Sequence, residues 1–492
     1  MPDLVTRLEL FIGGRWSAPR TAHHVQVHEA ATEQPIGSVA IGESADIADA
    51  VDAAGAALLG PWGSATVEDR AEILDRMADY LHTHRRETAQ LVSRENGMPI
   101  SLSKSVNGIG PSAMFRYYAD LLRRTPLQEL RPGLLESNTL IRREPVGVVA
   151  AITPWNYPQP LAAMKIAPAL ATGCAIVFKP AIETALDAFV FADAALHAGL
   201  PAGALNVVPG DRDAGAYLVA HPGVSKVAFT GSTQAGQSIG GVCGRLLRPV
   251  TLELGGKSAA LISEDADLNE FTRHLLDVCL PNNGQTCHAS TRILAPDSRF
   301  DEIVSAVTDA VRDLAVGDPL SPATAVGPLV SDRQRQRVLG YIAQGRSAGL
   351  NVTTGGGIPT AHARGWFVEP TVFADVPNHS PLAQEEIFGP VLTITRYTDE
   401  DNAIALANDS EYGLGGTIWT QDAEHGIELA ARIHSGTVGV NHYSLDLNAP
   451  FGGVKNSGIG RELGPEGLSA YLVDKSVYLA AGTHPSNVLP PR

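Results

Sequence analysis

Between residues 44 and 94 apolar side chains recur every three to four positions. Ile47, Val51, Ala54 and Leu58 fall on one face of a first helix, and Ile73, Leu74, Met77 and Leu81 on one face of a second. Thr66 followed by Asp69 predicts a capping box for the second. From Val146 the period changes. GVVAAI, AIVFK, LNVV and KVAFT are short, continuous apolar runs rich in branched residues, the pattern of strands buried on both faces. Helical stretches separate them around 160–170, 184–198 and 213–220. A second series follows residue 258, with helices near 268–279, 301–314, 331–348 and 422–434 and strands near 391–396 and 437–440. This alternation predicts an α/β fold with two parallel-sheet units, each covered by helices. The segments 124–143 and 471–481 fit neither series. The alternation in YLVDKSVYL predicts exposed strands that want a partner, read as an oligomerisation sheet.

A chain of 492 residues is too long for one comfortable core, which agrees with two or three domains. Hydrophobic residues make up 44% and charged residues 18%, an ordinary globular balance. The 37 Lys and Arg against 53 Asp and Glu give a formal charge of −16, a field that repels nucleic acid and anionic membrane surfaces. No apolar run approaches the roughly 20 residues of a membrane span. The opening MPDLVTRLELFIGGRW carries Asp3 and no sustained apolar stretch, so no secretory signal is expected. Cys174, Cys243, Cys279 and Cys287 form no C-x-x-C pair, which speaks against a disulfide framework or zinc site and for a reducing cytoplasm. His82 and His84 lie two apart and HExxH is absent, so no metal is expected.

Four stretches could carry chemistry. NNGQTCHAS places Cys287 after a Gly-containing turn; a free Cys is as a rule buried and inert, and its neighbours leave both readings open. TLELGGKSAA puts Glu253 in apolar company, where desolvation would raise its pKa toward that of a useful base, although for an isolated Glu a solvated side chain beside a turn is the commoner reading. PWNYP follows a strand and sets Asn156 at the carboxyl edge of a sheet, either as an oxyanion donor or as a turn residue between prolines. FTGSTQAG spaces Gly231 and Gly236 like the outer glycines of a dinucleotide fingerprint, with Thr233 in the middle position; the helix amides remain available to a phosphate, held further off, and a plain strand-to-helix turn reads equally well.

Taken together, PWNYP, FKPA, FTGST, ELGGK, GQTC, EEIFGP and FGGVKNSGIGRE stand in the order and spacing of the aldehyde dehydrogenase superfamily. The chain resembles that family from FIGGRW at residue 11 to near residue 480, and the spacing of Glu253 to Cys287 is that of its hydrolytic members. The resemblance implies two Rossmann-like α/β domains plus a small β element: residues 1–123 and 144–253 for NAD(P), 254–470 for catalysis, and 124–143 with 471–492 for assembly into a homodimer or homotetramer. It implies Cys287 as the thiolate nucleophile, Asn156 and the Cys287 N–H as oxyanion donors, and Glu253 as base for thioester hydrolysis, with Lys165 and Glu462 behind it as a proton path. The presence of Glu253 favours release of an acid over transfer to coenzyme A. Trp155 and Lys179 are assigned to the adenosine side, Gly231 and Ser232 to the pyrophosphate, and Glu386 with Phe388 to the nicotinamide riboside. One departure stands out: the carboxylate that bonds the adenine ribose in relatives is Ile182 here, with Glu183 one place on. A missing carboxylate also removes repulsion of a 2′-phosphate, so NAD is the expected cofactor and NADP an alternative.

By the same analogy the substrate channel is lined by Tyr157, Pro160, Leu161 and Met164, by Thr286 and His288, and by the loop 441–451 ending in Phe451. This lining is apolar or aromatic and holds no Arg to grip a carboxylate, so a medium apolar or aromatic aldehyde is expected. Asp446 in that loop keeps an amino-aldehyde as the substrate variant. A rival from another class is a non-catalytic scaffold of the same fold, which would be free to lose the Cys, Glu or Asn that this chain retains. A further rival is an esterase using Cys287 without redox chemistry.

Overall fold

The protein is described by a computed structural model covering residues 5–133, 137–480 and 483. Residues 1–4 of the opening segment, and residues 134–136, 481–482 and 484–492 of the ranges expected to form the small β element, lie outside the described residues.

The two predicted helices are Ser44–Leu59 and Val67–Asn96. Thr66 starts the second: its Oγ1 accepts the Asp69 N–H at 3.2 Å while Asp69 accepts the Thr66 N–H at 2.8 Å. Gly97 ends it at φ 81°, and a Cβ there would stand 2.1 Å from the Pro328 carbonyl oxygen. The helix Gly110–Arg124 has no counterpart among the expected elements; Pro111 occupies its first turn, where a missing N–H costs nothing.

The first sheet has eight strands. Its parallel centre runs Val250–Glu253, Lys226–Thr230, Val148–Ile152, Ala175–Lys179, Leu205–Val207. The chain starts at Val148–Ile152, winds outward to Leu205–Val207, then crosses back to Lys226–Thr230 on the other side. That reversal opens a crevice at the carboxyl ends of the strands. Antiparallel strands close the edges, Leu10–Ile12 with Arg15–Ser17 on one side and Gly458–Ile459 on the other. The second sheet has seven strands, parallel apart from Asn351–Thr354, with Arg292–Pro296 and Ala259–Ile262 at its middle. A small antiparallel sheet orders Leu472–Leu479, Asn138–Pro145 and Gln128–Pro132; a small mixed sheet pairs Pro35–Ala40 in parallel with Val5–Arg7 and antiparallel with His24–His28.

Three expectations need correction. The helix expected over 184–198 is two short 3-10 turns followed by Val190–Ala198, because the Leu186 N–H is drawn to the Glu95 carboxyl at 2.9 Å. The 422–434 helix and 437–440 strand shrink to Ala423–Ala430 and Gly439–Val440, the His434 N–H being taken by Asn408 at 2.7 Å. The catalytic segment expected to run to residue 470 leaves the second sheet earlier. Gly458–Ile459 pairs with Val250–Glu253, and Phe451, Leu463 and Leu468 are buried in the core of the first sheet. This return carries Glu462 to the underside of Glu253.

Candidate active site

Cys287 follows the helix Leu268–Cys279 through a turn in which Asn282, Asn283 and Gly284 are all left-handed, at φ 49°, 62° and 74°. Asn tolerates that region better than other side-chain-bearing residues, and each Asn side chain here also holds something. The Asn283 amide donates to the Gly97 and Pro328 carbonyls at 2.9 Å each and accepts the Gly327 N–H at 2.6 Å. The Asn282 amide donates to the Asn156 carbonyl at 2.8 Å, and the Asn156 amide donates to the Gln285 carbonyl at 3.0 Å. Asn96, at the end of its long helix, donates to the Asn156 carbonyl at 3.0 Å and the Trp155 carbonyl at 3.2 Å. The Asn156 segment and the Cys287 loop are thus stitched to one another. One N–H of the Asn156 amide is used in doing so; the other is left to donate.

The Gly pair of ELGGK passes beneath the nucleophile. A Cβ on Gly256 would stand 2.2 Å from the Cys287 carbonyl oxygen, and one on Gly255 within 3.0 Å of the Glu386 carboxyl. Cys287 is half-buried. Burial, then the carboxylates of Glu386 and Glu253, push its thiol up to about 12, opposed by the N–H groups of His288 and Cys287. In this state the sulfur is a thiol at neutral pH.

Glu253 ends the strand Val250–Glu253 and is 2% exposed, and neither carboxyl oxygen has a hydrogen-bond partner among the described residues. Gly452, at φ 155°, leaves room for it: a Cβ there would meet Oε1 at 2.5 Å. Burial, then the charge of Glu462, raises Glu253 well above the ordinary carboxyl range, with Lys165 opposing. Lys165, from the wholly buried helix Pro158–Thr172, donates to Glu462 at 2.7 Å and to the Thr230 hydroxyl at 2.6 Å. The structure therefore brings Cys287, Asn156, Glu253, Lys165 and Glu462 to one place.

Of the residues assigned to the cofactor, Trp155, Lys179, Gly231 and Ser232 stand at the carboxyl ends of strands of the first sheet, and Glu386 meets the Gly pair that follows Val250–Glu253. Lys179 is 8% exposed, and its ammonium donates to the Gly210 and Pro180 carbonyls at 2.7 and 3.2 Å; burial lowers it to about 8. Gly231 continues the strand Lys226–Thr230, and Ser232 caps the helix Thr233–Arg245, accepting the Ala235 N–H at 3.3 Å. Thr233 turns its hydroxyl to the Asn456 carbonyl at 3.3 Å, clearing the helix start. Glu386 accepts the Gly256 N–H at 3.0 Å on one oxygen, and burial raises it to about 7. Phe388 sits at a strained φ of 63°. Trp155, expected on the adenosine side, stands edge-on to Phe388 with ring centroids 5.4 Å apart. A buried cation, a helix start and a carboxyl with a free oxygen suit an adenine dinucleotide. Two residues missed in the sequence support this wall: Gln334 donates to the Phe388 carbonyl at 2.8 Å, and Arg337 to the Glu386 carbonyl at 2.5 Å. Ile182 brings no polar group, and Glu183 is paired at 3.1 Å with Arg333.

Of the channel residues, Tyr157 spends its hydroxyl on Thr286 at 2.8 Å. His288 stacks on Tyr443 at 4.9 Å and 20° and meets Phe451 edge-on at 6.1 Å. Burial lowers His288 to about 4, so the ring is neutral. Leu161 and Met164 are packed in the core of the first sheet. A cavity of about 320 Å³ at the mouth is lined by the 437–451 segment, including Tyr443, Asp446 and Phe451.

The sequence model described as "Aldehyde dehydrogenase family" matches residues 16–477. The chain belongs to the aldehyde dehydrogenase family. It is 52% identical over 471 residues to the geranial dehydrogenase of Castellaniella defragrans, covering 96% of this chain and 98% of that one. It is 39% identical over 482 residues to the phenylacetaldehyde dehydrogenase of Pseudomonas fluorescens, covering 96% of each. Among solved structures, a Mycobacterium tuberculosis aldehyde dehydrogenase complexed with NAD+ superposes with a TM-score of 0.96 at 45% identity, covering 98% of this chain and 100% of that one. A Pseudomonas syringae aldehyde dehydrogenase in complex with NAD+ and octanal gives 0.93 at 36% identity, covering 98% of each. This aldehyde dehydrogenase is accordingly an oxidoreductase of the NAD(P)-dependent class, acting on small aldehydes. Among the described residues no helix is long and apolar enough to cross a membrane.

Proposed function

We propose that this aldehyde dehydrogenase oxidises a medium-sized apolar or aromatic aldehyde to its acid through a covalent thioester on Cys287. The Cys287 thiol releases its proton to water as the sulfur attacks the carbonyl carbon: a C–S bond forms, the carbonyl π bond breaks and its oxygen becomes an oxyanion. The free N–H of the Asn156 amide and the Cys287 backbone N–H stabilise that charge. When bound, oxidised NAD supplies the acceptor for the hydride that the substrate carbon must lose, and its cationic ring supplies the positive charge that the thiol lacks here. Trp155, Lys179, Gly231, Ser232, Glu386 and Phe388 would hold it. Glu253 then takes a proton from water, whose oxygen displaces the sulfur, and passes that proton toward Glu462 and Lys165.

The observation that carries this reading is Glu253: a buried carboxyl at the nucleophile with neither oxygen partnered. A merely structural carboxyl in that place would be bonded. Glu253→Gln tests it. Reduced cofactor should appear as a burst of about one per active site, followed by turnover slower by a factor on the order of 10²–10⁴; an undiminished steady rate overturns it.

The substrate class follows from ring faces. Tyr157 and Tyr443 tie their hydroxyls to Thr286 and Thr437, at 2.8 and 2.6 Å, and His288 is neutral, so Phe451 and these rings offer apolar surface. Names of relatives, geranial and phenylacetaldehyde dehydrogenases, agree with that choice. The amino-aldehyde alternative rests on Asp446, whose carboxylate is bound instead within its own turn, accepting the Asn448 N–H and side-chain amide at 2.9 and 3.2 Å. A panel of apolar, aromatic and amino aldehydes ranked by kcat/KM with NAD and NADP decides both substrate and cofactor. We place the enzyme in the cytoplasm as a homo-oligomer: its four cysteines are free, and the three-stranded sheet ends in open strands.

A further inference from the structure

Behind the Asn156 segment lies a second pair of buried acids that the chemistry above does not use. Glu95 is 0% exposed and Asp187 2%. They come from the end of the helix Val67–Asn96 and from the 3-10 turn Asp187–Phe189. Glu95 Oε1 accepts the Leu186 N–H at 2.9 Å, and Asp187 Oδ1 accepts the Gln159 amide at 2.8 Å. The remaining oxygens, Glu95 Oε2 and Asp187 Oδ2, meet no N–H or hydroxyl among the described residues, and the two carboxyls lie within hydrogen-bonding reach of each other. Two carboxyls so placed can bond to each other only with a proton between them. Each partner also reaches the catalytic segment. Asn96, next to Glu95, holds the Trp155 and Asn156 carbonyls, and Gln159, three residues beyond Asn156, also donates to the Asp187 carbonyl at 2.9 Å.

We propose that Glu95 and Asp187 form a shared-proton latch that clamps the Trp155–Gln159 segment from both ends and so positions the oxyanion donor Asn156. Both are positioning residues, and the proposal rests on the role given to Asn156 above. Burial pushes both carboxyls above their ordinary range, Glu95 further because the Asp187 charge adds to it, while the Gln159 and Glu95 hydrogen bonds hold Asp187 back. No cation acts on the pair. Arg94 is bound to Glu29 at 2.7 Å, Glu183 to Arg333 at 3.1 Å, Arg7 to Asp193 at 3.1 Å and Lys165 to Glu462 at 2.7 Å, and Lys104 is exposed. The folded state therefore holds more protons here than the unfolded chain. The latch is intact at acid and neutral pH and fails as pH rises through the raised value, when two like charges face each other without water.

Infrared difference spectra and kcat profiles of the whole enzyme test this. Beside the absorption of other buried acids such as Glu253, the wild type should show a protonated-carboxyl C=O band above neutral pH that the difference against Glu95→Gln and the difference against Asp187→Asn both isolate. Glu95→Gln still donates to Asp187 but cannot titrate, so its kcat should stay within about three-fold at neutral pH and hold where the wild-type kcat falls on the alkaline side; Glu95→Ala, lacking the donor, should lose about ten-fold or more in kcat with little change in KM for NAD. A wild-type-minus-variant difference that lacks this band for both amide variants, or a Glu95→Gln profile that superimposes on wild type, overturns the latch. Asn156→Ala separates the two readings: it should keep the band and lose turnover, and if it keeps turnover the oxyanion assignment fails while the band still reports on the shared proton.

Discussion

Glu253 is a carboxyl out of water with both oxygens unpartnered, a state that favours the protonated form until the site offers compensation. Burial and then the Glu462 charge raise it, so the base form is scarce at acid pH and grows as pH rises through that raised value. Hydrolysis of the thioester should follow. Under conditions where deacylation limits turnover, kcat should climb with pH along a single ionisation. Glu462→Gln removes the neighbouring charge, so that ionisation should move to lower pH. A limb that stays put, measured with one aldehyde at saturating NAD, would place the titration elsewhere. The opposite sign holds for His288, which burial keeps neutral down to about 4, so no charge change of that ring contributes near neutrality.

At the scale of elements, what could be read in advance was whatever depends on local period. The continuous runs at 147–152, 175–179 and 226–230 are strands because burial on both faces leaves no polar position to interrupt them. Cys287 and Glu253 were legible through ordered motifs. Asn96, Asn282 and the Glu95–Asp187 pair were not, because their partners lie far off in sequence and a polar residue at a helix end reads as solvated. The helix Asp332–Ser347 shows the same limit. DRQRQR has the look of a water-facing charged run, yet Gln334 and Arg337 reach the carbonyls of Glu386, Ile387 and Phe388, and Arg337 also stacks on Tyr341 at 5.2 Å. They hold a loop that carries a left-handed Phe388, which would otherwise relax. Arg337→Ala should therefore weaken cofactor binding rather than chemistry. A hydrogen bond from a charged donor is worth roughly 1.5–3 kcal/mol, so a rise of about ten-fold or more in KM for NAD is expected, with kcat changed less. An unchanged KM for NAD would show that the loop holds itself.

Across the whole molecule, the three-stranded sheet is the part that finds least support within one chain. Asn138–Pro145 is its middle strand, with Leu140 and Ile141 buried, whereas Leu472–Leu479 is mostly exposed, Val473 at 45% and Tyr478 at 83%. Among the described residues nothing pairs with the outer edges of its flanking strands, and Val473 and Tyr478 project from opposite faces of one of them. With a formal charge of −16 on each chain, association must overcome mutual repulsion, and apolar faces with an open strand edge are what this chain has to do so. Placing Lys at both positions, Val473→Lys with Tyr478→Lys, leaves the two large sheets untouched and puts two ammonium groups where a second copy would pack. The double variant should sediment as a smaller species than the wild type at the same concentration. Turnover per active site should stay within about two-fold, since distant sites act independently when no partner is shared. An unchanged sedimentation coefficient would mean that this sheet carries no contact between copies.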